Sequence, residues 1–357
     1  MNGSVYTAEA VILALGNRAM VPPIPGLGDV LFITNEDLFS MPDRSDRMVI
    51  IGGGPIGCEM AQAFSQLGVA VTVVEGAPRL LPRDEPEASA VVTESLRRGG
   101  VDLRMGQAVT SVKPGDRDEV LVHVGDQVVV CDRLLVAVGR APVTGDSGLE
   151  DAGVTMSDRG WIDVDDHVRT SVDGVYAAGD AIGLVQLTHA AAMMAPIAVD
   201  NALGVGMSRV RKARWRPEAM PWVTFTSPEV AHVGLTEAEA SSVRGAMVAE
   251  LDMSEVDRAV AVGKPEGFIK LIAAPRRGMG MVGGGRLIGA TVVAERAGEM
   301  IGELALAQQT GMFTGRLAQV VHPYPSWSMA ISQAASQFFT DAYGGVSVRA
   351  VGRPAGQ

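Results

Sequence analysis

The sequence predicts an α/β protein built on a doubly wound parallel sheet, and three observations within residues 48–75 predict it. Met48-Val49-Ile50-Ile51 is a short apolar run, as a strand buried on both faces requires. Gly52, Gly54 and Gly57 follow at G-x-G-x-x-G spacing, and Ile56, Met60, Phe64 and Leu67 then recur at helical intervals up to Gly68. A second apolar run, Val71 to Val74, ends in Glu75.

Each element has a physical reason. Gly52 allows the tight turn, Gly54 lets a pyrophosphate approach the backbone, and Gly57 lets helix and strand pack closely. Pro55 and Ile56 open the helix between them, and Gly68 ends it. Glu75 lies about 20 residues on, where a carboxylate accepts the ribose hydroxyls of NAD. Strand, glycines, helix, second strand and acid in this order read as a Rossmann-like dinucleotide unit, where a bare glycine turn needs none of the rest. Glu75 would repel a 2′-phosphate, so NADH is favoured over NADPH. Arg79 and Arg83 lie nearby and read as a solvated helix start.

The chain has 357 residues, enough for two or three domains, and 47% of them are apolar. A net charge of -11 argues against a nucleic-acid surface. The start, MNGSVYTAEA, has neither a basic nor an apolar region of the signal-peptide kind. The most apolar later stretch, 184–207, contains His189 and Asp200 and reads as a buried helix, not a membrane span. The two cysteines, Cys58 and Cys131, have no neighbouring partner and read as reduced core thiols of a cytoplasmic protein. The five histidines show no ligand spacing, so no metal site is expected.

The remaining elements follow in order. Ala10 to Leu15 is an apolar strand with no partner nearby in sequence, then Gly16-Asn17-Arg18 and a proline-rich turn. Residues 27–46 read as a loop and short helix. Residues 84–98 form a helix with Val91, Val92 and Leu96 inward. Strands at 109–112, 120–124 and 128–131 make a β-meander before the apolar strand Leu134 to Val138, which ends in Gly139-Arg140-Ala141-Pro142. Trp161 to Val164 alternates like a strand. Val175 to Ala178 is a buried strand ending in Gly179-Asp180, and an Ala/Met-rich helix spans 187–203. An acid after Gly at a strand end can bond a sugar or ribitol hydroxyl, or simply cap a helix. Gly283-Gly284-Gly285 lies between strand-like runs and reads as a hairpin turn.

Residues 10–26, 48–75, 134–142 and 170–180 resemble the ordered signatures of the FAD- and NAD-binding pyridine nucleotide-disulfide oxidoreductases, which include dihydrolipoamide dehydrogenase and mercuric reductase. Ala14-Leu15-Gly16-Asn17 is similar to the family's Ala-Thr-Gly-Ser. Val138-Gly139-Arg140-Ala141-Pro142 matches, with Val143 where Asn is usual. The segment 221–240, Asp257-Arg258-Ala259, Gly267-Phe268-Ile269-Lys270 and 297–301 are similar to the family's dimerisation domain and its mercuric-reductase-like branch. The resemblance implies a Rossmann-like NAD domain inserted in a truncated FAD domain, followed by an α+β dimerisation domain. It divides the chain into 1–41 (FAD-domain remnant), 42–143 (NAD), 144–214 (FAD domain, C-terminal part), 215–345 (dimerisation) and 346–357 (a frayed tail). It implies FAD and NAD as cofactors, with Gly16, Gly139 and Gly179 bordering them and Asp180 holding the FAD ribitol and pyrophosphate region. It further implies a homodimer passing hydride from NADH to FAD and on to a small-molecule acceptor.

Two departures limit that inheritance. The family opens with a further βαβ unit for FAD and a redox Cys pair, and nothing before Val5 corresponds to them. The expectation is a fragment or a misplaced start, with no redox disulfide. The family's His-Pro-Thr-x-x-Glu stands here as Tyr324-Pro325-Ser326-Trp327-Ser328-Met329. Tyr324, reaching the partner subunit's flavin, is then the candidate catalytic group, a hydrogen-bond donor and not a base. His322, two residues earlier, reads as structural. Glu59 is the other catalytic candidate. Its lysine partner would belong to the upstream unit, so Glu59 is expected unpaired, with its pKa raised if buried. Met300, Ile301, Leu304, Leu306 and Trp327 are interface candidates. The alternative is a flavin-free NAD-binding dimer without catalytic activity, with the strand 10–15 left as an exposed edge.

Overall fold

The computed structural model describes residues 5–204, 212–339 and 348–352. The chain opens with β1 (Val11–Leu13) and β2 (Asn17–Ala19). It continues through β3 (Phe32–Ile33), β4 (Arg47–Ile51), α1 (Pro55–Gln66), β5 (Ala70–Glu75), α2 (Pro86–Arg98) and β6 (Asp102–Met105). Next come β7 (Val109–Pro114), β8 (Val120–Val124), β9 (Gln127–Cys131) and β10 (Arg133–Val136). Then β11 (Arg140–Pro142), β12 (Val175–Ala177) and α3 (Thr188–Leu203) follow. The last part runs β13 (Trp222–Thr224), β14 (Glu229–Gly234), α4 (Glu237–Ala240), β15 (Met247–Asp252), α5 (Asp257–Ala261), β16 (Phe268–Ala274) and β17 (Arg286–Ala294). It closes with α6 (Ala297–Gln309), α7 (Thr314–Ala318), α8 (Met329–Ser336) and β18 (Arg349–Ala350).

These elements fall into two units, residues 1–20 with 139–220, and residues 21–138 with 221–357. The first unit is interrupted by the second, as an inserted nucleotide domain requires. The expected remnant 1–41 is therefore cut at Met20. Phe32 and Ile33 pair in parallel with Leu134 and Leu135, and Val112 N–H donates to Pro25, so residues 21–41 belong with the central sheet. Likewise Trp215 and Met220 lie in the core of the first unit.

In the first unit β1 pairs in parallel with β12, and β2 antiparallel with β11. The strand at 10–15 thus has its partner 164 residues away in sequence, yet Val11 stays 45% and Ile12 39% exposed. The expected strand at 161–164 is only a single bridge, Met156 to Ile162, because Ile162 N–H turns to Ala181 O instead. α3 lies where the Ala/Met pattern placed it.

The second unit holds a five-stranded parallel sheet of order β3-β10-β4-β5-β6, flanked by the meander β7-β8-β9. A six-stranded antiparallel sheet follows, of order β13-β14-β17-β16-β15-β18. β6 escapes a sequence reading because it is an edge strand of mixed polarity paired only with β5. α1 turns its small residues Gly57, Cys58 and Ala61 to the sheet. Of the residues at helical spacing, Met60 and Phe64 are half-buried and pack against the edge of the core, Ile56 is half-buried, and Leu67 is exposed. Gly283 to Gly285 lie at the end of the 275–285 connection between the antiparallel neighbours β16 and β17, where Val282–Gly284 form a 3-10 turn in place of the tight hairpin turn expected.

Met300, Ile301 and Leu304 pack in this unit's own core, so they are not interface residues. Leu306 is exposed and Trp327 half-buried. Of the tail expected to fray, Arg349–Ala350 pairs with β15. Residues 346, 347 and 353–357 lie outside the described residues. Both cysteines are buried and free, and burial raises both thiols, Cys131 to about 11.

Candidate functional site

The glycine turn between β4 and α1 is built by backbone approach. Gly52 has φ 112, and a Cβ there would lie 2.4 Å from the Ala137 carbonyl oxygen. A Cβ on Gly57 would lie 2.0 Å from Gly52 O. Gly54 differs: its φ of -76 suits any residue, and nothing lies within 4 Å of its Cβ position. It is the N-cap of α1, with Pro55 and Ile56 opening the first turn and no side chain capping it. Uncapped amides at a helix start, facing open space beside a glycine, fit a pyrophosphate.

Glu75 closes β5 beside this turn. Its Oε2 accepts Gly53 N–H at 2.6 Å and its Oε1 accepts Ala77 N–H at 2.6 Å. A carboxylate has about four acceptor positions, so both oxygens keep capacity for ribose hydroxyls. Arg79 does not open a helix, which starts only at Pro86. Its Nη1 donates to Leu81 O at 2.9 Å and its Nη2 to Pro82 O at 2.8 Å. The guanidinium is committed to its own loop, and Arg83 is exposed.

In the first unit the chain turns at Gly16 (φ 72) into β2, and at Gly139 (φ 126) into β11. Gly179 has φ 75, just before Asp180. Asp180 Oδ2 accepts Asn17 Nδ2 at 2.8 Å and Arg140 Nη1 at 3.0 Å. Arg140 Nη1 also donates to Gln186 O at 2.9 Å, just ahead of α3. Asp180 is not a helix cap here: α3 begins beyond it, with no side-chain cap of its own. A partly exposed carboxylate on the glycine turn, beside an uncapped helix start, fits a polyol and an electron-rich ring. Asn17 and Arg140 were not singled out as site residues. They come to Asp180 from other strands, and only the Gly-Arg-Ala-Pro signature hinted at one of them.

Glu59 is on α1. Its Oε1 accepts the backbone N–H of Phe225 at 2.8 Å, which is not the lysine partner of the family. Burial raises its pKa, with the Phe225 bond opposing. Tyr324 is 70% exposed, and the neighbouring Asp257 carboxylate raises its pKa. The structure does not join Tyr324 to Glu59 by any hydrogen bond among the described residues. His322 Nε2 donates to Glu303 Oε2 at 3.0 Å, an anchor on α6 consistent with a structural part. Among the described residues no group of three or more His, Cys, Asp or Glu is arranged to hold a metal ion, and no helix is long and apolar enough to cross a membrane.

The profile of the pyridine nucleotide-disulphide oxidoreductases matches residues 1–195, and that of their dimerisation domain matches residues 220–335. The chain belongs to this family. It is 33% identical over 346 residues to the mercuric reductase of Bacillus cereus, which covers 96% of this chain and 53% of that protein. It is 34% identical over 343 residues to the dihydrolipoyl dehydrogenase of Thermus scotoductus, covering 94% and 71%. The crystal structure of LpdA from Mycobacterium tuberculosis superposes with a TM-score of 0.82 at 32% identity, over 93% of this chain and 70% of that one. The chain thus spans about half the length of the Bacillus relative.

Proposed function

We propose that the chain is the nucleotide-handling part of a flavin-dependent oxidoreductase that takes hydride from NADH to FAD and passes electrons to a small-molecule acceptor. The observation that carries this reading is the open space at Gly54 before an uncapped helix, with Glu75 held on the same turn. The pyrophosphate of NADH would sit on the α1 amides, and Glu75 would take the adenosine ribose hydroxyls. FAD, when bound, supplies a two-electron acceptor for the hydride. Asp180 would accept its ribitol hydroxyls, with the start of α3 toward the ring. Tyr324, its pKa raised by Asp257, stays protonated at neutral pH and would act as a donor on the partner subunit's side. Glu59 would serve as a half-buried carboxyl near the nicotinamide. The dimerisation-domain match, with Val321 and Leu306 exposed, supports a homodimer.

Preference for NADH follows from charge. Glu75 repels a 2′-phosphate, and Arg79 is spent on Leu81 and Pro82. Glu75→Gln should shrink the NADH over NADPH affinity ratio by about tenfold, the order of a charge-assisted hydrogen bond. Fluorescence titration with both nucleotides checks this, and an unchanged ratio contradicts it. The enzymatic reading is tested by loading the chain with FAD and following NADH-dependent reduction of an artificial dye. Turnover that Asp180→Ala removes supports it; no turnover above free FAD counts against it. A second reading, an NAD-binding dimer without flavin, is favoured by the exposed β1 residues Val11 and Ile12. It predicts NADH binding with no FAD uptake.

A further inference from the structure

Asp180 is held by one of its two oxygens. Both of its side-chain donors fall on one oxygen, Oδ2: Asn17 Nδ2 at 2.8 Å and Arg140 Nη1 at 3.0 Å. The strand register explains how they meet. In the antiparallel pair β2/β11, Asn17 faces Pro142 and Ala19 faces Arg140, so Asn17 and Arg140 are diagonal neighbours on one face. Both side chains lean onto the turn after β12. Arg140 is tied in turn to Gln186 O, so its fork has a fixed direction. An ionised carboxylate only accepts, which fixes the Asn17 amide with its nitrogen toward Asp180. Two donors on Oδ2 set the plane of the carboxylate and leave the lone pairs of Oδ1 for a ligand hydroxyl.

We infer that Asn17, the residue standing where the resembling family has Ser, is a positioning residue that with Arg140 aims Asp180 Oδ1 at a polyol hydroxyl. The inference rests on the flavin reading, in which that polyol is the ribitol of FAD. Asn17 does not touch the polyol. It acts through Asp180 by fixing which oxygen is free and where it points, much as second-layer partners orient the ligands of other sites.

The test separates a donor from a space-filler. Asn17→Leu keeps the volume and removes the N–H, whereas Asn17→Ser keeps a donor and loses volume. FAD dissociation constants are read from flavin fluorescence on the full chain, with melting midpoints of the flavin-free chain and NADH dissociation constants measured alongside. The expected result is FAD binding about tenfold weaker in Asn17→Leu, the order of one hydrogen bond to a charged group, with Asn17→Ser between Leu and wild type. NADH binding should stay within about twofold, because the glycine turn belongs to the other unit. Asn17→Leu binding FAD as tightly as wild type, or more tightly than Asn17→Ser, overturns the positioning role and leaves the flavin reading standing. A wild-type chain that takes up no FAD in the same titration overturns both.

Discussion

Replacing Lys270 by methionine is expected to destabilise the chain by about 3–5 kcal/mol, the cost of breaking a buried ion pair from one side. The side chain of Lys270 is 0% exposed, and four carboxylates surround its Nζ. Glu87 lies at 3.0 Å, Glu237 at 3.1 Å, Glu85 at 3.6 Å and Glu250 at 4.0 Å. Arg349 adds a second cation against Glu237 and Glu250. One row across the antiparallel sheet brings Lys270 to Glu250: Trp222, His232, Thr291, Lys270 and Glu250 are successive cross-strand partners. Against this row sits the segment that opens α2. Asp84 Oδ1 accepts Trp222 Nε1 at 2.9 Å, and Glu85 accepts Glu237 N–H at 2.6 Å. Thr236 caps α4 in a reciprocal box with Glu239 and so presents Glu237 to the lysine. Without Lys270, Arg349 would still face Glu237 and Glu250, and Glu85 and Glu87 would lose the cation they share.

The pH dependence of that loss has a definite sign. Burial holds Glu85 and Glu250 above their ordinary value, so the folded chain binds these protons more tightly than the unfolded one. Their stabilising contribution is fully present below the unfolded pKa and is lost as pH rises through the raised folded values. Glu237 runs the other way. Burial works to raise it, but hydrogen bonds from Arg349 and Lys270 outweigh burial and bring it from 4.5 to about 2. Its contribution is present above 4.5 and lost as pH falls toward about 2. Removing Lys270 takes away one of the groups that keep these acids ionised. The deficit of Lys270→Met should therefore be larger near about pH 8 than near about pH 5, where protonation relieves the repulsion. Urea melts at both values check it, and a deficit that grows toward acid contradicts it.

The second large effect concerns the glycine turn. Gly57→Ala should weaken NADH binding by about a hundredfold and cost about 1–3 kcal/mol of stability, as overpacking against backbone does. The added Cβ would lie 2.0 Å from Gly52 O and 3.0 Å from Gly52 C, atoms that cannot swing aside as a side chain can. Gly54→Ala is the control. Its extended backbone accepts a side chain and nothing lies within 4 Å, so stability should change by less than about 0.5 kcal/mol. The methyl would instead occupy the space kept for the pyrophosphate, and NADH binding should still fall. Melting midpoints with NADH titrations separate the two. A Gly57→Ala chain as stable as wild type would contradict the packing argument.

The central unit was legible because its elements are contiguous and each carries a local rule. The apolar run of β4, the glycine spacing and Glu75 stand within 28 residues and needed no tertiary information. What stayed hidden depends on contacts across the chain. Asn17 and Asp180 are 163 positions apart, so nothing local marks their bond. Lys270 reads as one polar residue in a strand, and only the tertiary fold brings Glu250 from the next strand, Glu85 and Glu87 from the start of α2 and Glu237 from α4 around it. The residues of α1 that press closest on the sheet are Gly57, Cys58 and Ala61, which helical periodicity does not mark because it weighs large apolar side chains. β1 reads as a lone strand until β12 supplies its partner.

The most direct measurement is an anaerobic absorbance spectrum of the purified chain after incubation with FAD and gel filtration, followed by addition of NADH. The account predicts a flavin band that travels with the protein and bleaches on NADH. A protein that emerges colourless, or whose bound flavin stays oxidised in NADH, would contradict it.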